Sequence, residues 1–142
     1  MRRVPEFDQK TMTPEQKQAV KEPVDGPHGH IVGPYHAWLY SPEMARRCRN
    51  LSEYLRFKSV MPKRLMELAI LVTGRFWKAE FEYWAHARLA KTAGLDDAVI
   101  AAIARDERPA FKQADEELVY TLCKEVYDAH RVSDKTYQEA VK

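Results

Sequence analysis

Two carboxylates and an imidazole hold the acid/base chemistry this chain could perform. Glu67 lies inside Leu65-Met66-Glu67-Leu68-Ala69-Ile70-Leu71-Val72, the most apolar run of the sequence. Glu82 and then His86 follow in the aromatic-rich stretch from Phe76 to His86. A charged group in an apolar helix costs free energy unless it is paired or neutralised. Residues four apart on a helix share a face, so Glu82 and His86 can touch. A carboxylate beside an imidazole orients the ring and raises its basicity. Burial disfavours the ionised form of a carboxyl, which would suit Glu67 to act as an acid or base near neutral pH. Brought together in a water-poor pocket, the three would form a proton-transfer site. The plainer alternatives are a surface Glu82/His86 pair, and a Glu67 that snorkels from a helix edge to Lys63 or Arg64.

The same residue types can bind a divalent ion. The di-iron helical pattern needs Glu-x-x-His pairs, contributed twice, whereas here the spacing is i, i+4 and occurs once. His28, His30 and His36 form a second, looser group in a glycine-rich setting. Neither a metal nor an organic cofactor is expected. The aromatics Trp77, Phe81, Tyr83 and Trp84 read first as core packing. Alternatively, Trp77 and Trp84 line an apolar substrate pocket with few polar groups. Tyr35, His36 and Trp38, which follow Gly33-Pro34, would then supply the opposite wall.

Helices must position these groups. Thr13-Pro14-Glu15-Gln16 is a helix-start signal, with a capping hydroxyl, a proline at the first helical position and Gln16 reaching back. Residues 1–33 otherwise read as an irregular arm and loop, rich in breakers from Gly26 to Pro34. Ser41-Pro42-Glu43 repeats the cap-plus-proline signal and opens a helix to about Phe57, with Met44, Cys48, Leu51 and Leu55 on one face. Pro62 starts the helix carrying Glu67, which is expected to end or kink near Gly74. The next helix runs from about Trp77 to Thr92 and stops at Gly94. Asp96 caps a short helix that buries Val99, Ile100 and Ile103, and Pro109 breaks the chain. Ala114 to His130 is amphipathic, with Leu118, Leu122 and Val126 on one stripe and Val119, Cys123 and Tyr127 beside it. Ser133 caps a last helix expected to be still running at Lys142, its packing completed by a further segment or another subunit. No alternating run reads as a strand, so the fold class is all-α.

At 142 residues, 45% hydrophobic and 31% charged, the chain has the size and composition of a single globular domain, 1–142. A formal charge of +2 argues against a nucleic-acid partner, which would call for a clustered basic face. Arg2-Arg3 and Arg46-Arg47 with Arg49 are short clusters near acidic residues and read as solvated faces. No stretch approaches the roughly 20 apolar residues of a membrane span. The N-terminus lacks the apolar core of a secretory signal, which makes the cytoplasm the expected compartment. Cys48 and Cys123 lie far apart and outside any CxxC motif, so reduced thiols are expected rather than a dithiol redox centre.

From Met61 to Pro109 the chain resembles the carboxymuconolactone decarboxylase family of the alkylhydroperoxidase D-like superfamily. The pattern is Arg64-x-x-Glu67-Leu68-Ala69-Ile70-Leu71, then Glu82-Tyr83-Trp84-x-His86, then Ala90-x-x-Ala93-Gly94-Leu95. The upstream piece Gly33-Pro34-Tyr35 through Ser41-Pro42-Glu43 is similar to the family's substrate-side loop and first core helix. The resemblance implies an alkylhydroperoxidase D-like helical bundle that assembles as a homo-oligomer, commonly a trimer or hexamer, with sites near subunit interfaces. Glu67 and His86 match the Glu and His of the peroxidase branch, but Ala79 and Glu82 stand where its two cysteines would be. Thiol peroxidase activity is therefore not carried over. Glu82 and His86 reproduce the decarboxylase branch. The expected activity is cofactor-independent decarboxylation or isomerisation of a small carboxylated lactone, with Glu67, Glu82 and His86 catalytic. The alternatives are a non-catalytic helical oligomer or small-ligand-binding module and, more remotely, peroxide reduction through Cys48 or Cys123.

Overall fold

A computed structural model describes residues 8, 10–20 and 33–142. The basic pair Arg2-Arg3, the N-terminal segment and the His28/His30 loop lie outside the described residues. Within what the sequence reads as one domain, the chain divides into two compact units, Met1–Ser59 and Val60–Lys142. The described residues are all-helical, with no strand. None of their helices is long and apolar enough to cross a membrane.

In the first unit, α1 spans Pro14–Val20. Its capping box forms as the sequence predicts: the Thr13 N–H donates to Gln16 Oε1 at 2.9 Å, and the Gln16 N–H donates to Thr13 Oγ1 at 3.3 Å. A four-residue helix α2, Tyr35–Trp38, follows the Gly33-Pro34 turn. Helix α3, Pro42–Glu53, has Pro42 at its start, but the Ser41 side chain makes no cap bond. The helix expected to reach Phe57 instead passes into a π-helical turn, Tyr54–Lys58. The face expected inside is turned out, since Met44, Leu51 and Leu55 are exposed while Ala45 and Arg49 are buried. Small Ala45 lets α3 pack closely, and Arg49 donates to the carbonyl of Ala19 at 2.8 Å, closing an orphan carbonyl in the last turn of α1. Arg49 is thus not on a solvated face, whereas Arg46 and Arg47 are exposed and both bond Glu43.

The second unit is built on α4, Lys63–Phe76, which packs against α5, Glu80–Thr92, α6, Asp97–Ala104, and α7, Ala114–Asp128. Helix α8, Asp134–Ala140, lies on α7. Leu68, Leu71 and Val72 of α4 meet Ala90, Leu95, Val99, Ile103, Tyr120 and Cys123 in one core. Gly74 does not end α4. The helix runs two residues further because its stop is made at Lys78, in the left-handed region at φ 52°. There the Ala79 N–H donates to the Gly74 carbonyl and the Lys78 N–H to that of Arg75, a Schellman ending without its usual glycine. Gly74 lies against the first turn of the next helix, where a Cβ would make ordinary contact, 3.5 Å from the Tyr83 backbone nitrogen. Helix α5 accordingly starts at Glu80, three residues later than predicted, and leaves Trp77 in the connecting turn.

The remaining signals are local and are realised locally. Gly94, at φ 91°, closes α5. Asp96 accepts from the Ala98 N–H, and Ser133 from that of Thr136. On α7 the second of the two adjacent stripes carries the burial. Tyr120 and Cys123 are buried, with Val119 and Tyr127 packed beside them, while Val126 is exposed. Buried Glu116 starts that inner stripe and bonds Arg64 of α4. The last helix ends at Ala140 rather than running on at Lys142.

Candidate active site

Glu67 stands in the second turn of α4 and His86 in the second turn of α5, on faces that meet inside the second unit. Glu67 is 5% exposed and His86 8%. The ring Nδ1 lies 2.7 Å from Glu67 Oε2, and Nε2 lies 3.2 Å from Glu82 Oε1. One imidazole is held at both nitrogens between a buried carboxylate and a half-exposed one, for the Glu82 side chain keeps 43% exposure. The three predicted residues are brought together. The closer, better shielded partner of His86 is Glu67 on the neighbouring helix, not Glu82 on its own. Glu67 does not snorkel: it is 5% exposed and bonded to His86, while Arg64 turns to Asp115, at 2.7 Å, and to Glu116.

Burial disfavours the imidazolium, but the hydrogen bonds and negative charges of Glu67 and Glu82 outweigh it and raise its pKa from 6.5 to about 9. At neutral pH the ring is therefore a cation that donates from both nitrogens. The folded chain keeps a proton that the unfolded chain sheds above pH 6.5. The stabilisation is complete below pH 6.5 and is lost as pH rises to about 9. Discounted for the exposure of Glu82, the loss across that window should be about 2 kcal/mol. Urea unfolding at a series of pH values, with an NMR titration of the His86 ring, measures both quantities. A ring midpoint near 6.5 would contradict this assignment.

The two carboxylates approach opposite edges of the ring, so they do not converge with a ring nitrogen on a common point. Among the described residues no group of three or more His, Cys, Asp or Glu side chains is placed to hold a metal ion. The aromatic residues do not pack as the sequence suggests. Trp77, Phe81 and Trp84 are exposed rather than in the core. Trp84 is two residues from both Glu82 and His86, hence about 200° around the helix from either, and so faces away from them. It lies beside Phe81 and under the Arg88 guanidinium. Tyr83 is half-buried, and its hydroxyl donates to the Ile100 carbonyl at 2.6 Å. Tyr35, His36 and Trp38 belong to the first unit. There Tyr35 and Trp38 form an edge-to-face pair with centroids 5.1 Å apart, and Trp38 packs on Met12, Ala19, Leu39 and Ala45. His36 Nδ1 is buried without a hydrogen-bond partner among the described residues.

Both cysteines are free thiols. Burial pushes the Cys123 thiol up, which disfavours the thiolate that peroxide chemistry needs. Sequence reasoning did not find the Arg64–Glu116 pair or the placement of Arg75. The first joins residues far apart in the chain, and neither carries a local pattern. No family model, curated protein or solved structure matches this chain.

Proposed function

We propose that the chain is an acid/base enzyme of the carboxymuconolactone decarboxylase type, working in the cytoplasm as a homo-oligomer on a small carboxylated lactone without metal or organic cofactor. The observation that carries this reading is the buried imidazole held between Glu67 and Glu82. A group protonated near neutrality is a ready acid. The proposed substrate is a β,γ-unsaturated lactone acid, bound as its carboxylate. Its bond to the carboxylate carbon breaks, CO₂ leaves, and the electron pair passes into the conjugated lactone carbonyl as a dienolate. Glu82 swings aside, and His86 gives the Nε2 proton to carbon. The neutral ring then takes a proton back from water by way of Glu82, so each turnover consumes one proton. Glu67 stays on Nδ1, where its charge stabilises the imidazolium and fixes the ring. Exposed Trp77, Phe81 and Trp84 offer apolar surface for the proposed subunit contacts, and Trp77 and Trp84 could reach substrate only as part of an assembled surface.

The test is release of CO₂ from carboxymuconolactone by the purified protein, run in D₂O. The expected product carries one deuterium at the protonated carbon, and the rate falls as pH rises through about 9. Absence of turnover across that range would refute the proposal. A second reading, a non-catalytic oligomer or ligand-binding module, is favoured by the engagement of both ring nitrogens, since the triad would then serve to tie α4 to α5. That reading expects ligand binding to survive conversion of Glu67 and Glu82 to Gln.

A further inference from the structure

Away from the triad, a hollow of about 300 Å³ opens on the second unit among α4, α6 and α7. Val72, Ile103 and Tyr120 give it an apolar floor, and Arg75, Lys78 and Asp106 stand at its rim. Arg75 is two-thirds buried. Its Nε–H is fully buried and has no hydrogen-bond partner among the described residues, and its Nη2 comes only within 4.0 Å of Asp106 Oδ2, beyond hydrogen-bond reach. A buried guanidinium donor left unsatisfied is costly and calls for an acceptor.

The surrounding charges say what kind of acceptor. Three cations, Arg75, Lys78 and Lys124, and three anions, Asp106, Glu107 and Asp128, line the hollow. Lys124 and Asp128 satisfy each other at 3.0 Å, and Glu107 is held by Arg105 at 2.7 Å. Arg75 and Lys78 are then left with Asp106, whose charge Lys124 also feels, and one positive charge is in excess. Asp106 is 69% exposed and free to turn to solvent. Lys78 occupies a left-handed position that glycine would fill with less strain, which leaves a cationic side chain on the rim. A guanidinium fork matches a carboxylate in plane and spacing. We infer that this hollow binds a small monocarboxylate with an apolar body, its carboxylate on Arg75 and Lys78 and its body on Val72, Ile103 and Tyr120.

The site shares no residue with the triad, and the experiment keeps the two apart. The probe is 4-fluorobenzoate, followed by ¹⁹F NMR, with 4-fluorobenzamide as the uncharged comparator of similar shape. The benzoate is expected to bind with Kd of about 1 mM or tighter, and the benzamide at least about 10-fold more weakly. Arg75→Gln should weaken the benzoate at least about 10-fold. Lys78→Glu, a change at an exposed turn, should weaken it several-fold and guards against misfolding of the Arg75 variant. His86→Ala should bind it as the wild type does, whatever becomes of turnover. No binding up to about 20 mM, equal binding of the benzamide, or undiminished binding by both rim variants would overturn the inference.

Discussion

A His86→Ala variant should decarboxylate any lactone acid that the wild type turns over at least about 10²-fold more slowly. The proposed chemistry gives His86 the only proton that reaches carbon, and the alanine leaves Glu67 and Glu82 with no donor between them. Glu82→Gln should be milder. It keeps a hydrogen-bond partner near Nε2 but removes one negative charge, so the limb of the pH–rate profile set at about 9 should move to lower pH. The two variants separate proton transfer from positioning: a change of charge on Glu82 shifts a pH profile, whereas a purely structural role leaves it in place. Unchanged turnover in His86→Ala would remove the ring from the mechanism.

The largest loss of stability is expected at a site with no part in this chemistry. Arg64→Met should cost about 3–5 kcal/mol. Arg64 ties the start of α4 to the start of α7 through Glu116, which is only 2% exposed. Without the guanidinium, the Glu116 carboxylate stays buried with no bonded cation, since exposed Lys112 is held by Asp96, while exposed Asp115 is rehydrated at little cost. Replacing both partners, Arg64→Met with Glu116→Leu, should recover most of the loss, because apolar groups of similar volume substitute well for a buried ion pair. Urea melts of the single and double variants give the comparison. A loss below about 1 kcal/mol for Arg64→Met would class the pair with ordinary surface ion pairs.

What the sequence made legible divides along physical lines. The Thr13/Gln16 box, the Asp96 and Ser133 caps and the Gly94 stop were readable because each acts over three or four residues. The end of α4 was not, because Lys78 takes up the left-handed turn and no glycine marks it. Which stripe of α3 and α7 lies inward was not legible, because hydrophobicity alone does not fix burial. On α3, Ala45 and Arg49 face inward while Met44, Leu51 and Leu55 do not, and on α7 a buried glutamate opens the inner stripe. The convergence of Glu67 on His86 is a contact between separate helices, yet it could be anticipated. A carboxylate in so apolar a run needs a partner, and the i, i+4 pair on the next helix offers the nearest imidazole. The aromatic residues gave no such warning, since their size alone does not fix which side of α5 they occupy.

The imidazole clamp is also lopsided. At the Glu67 end the described residues leave that residue only 5% exposed, so its carboxylate holds charge in place. At the other end Glu82 reaches water. Among the described residues Glu82 is thus the more open door to the ring, and a stiffer swivel of that one side chain should slow the discharge and replenishment of the buried cation.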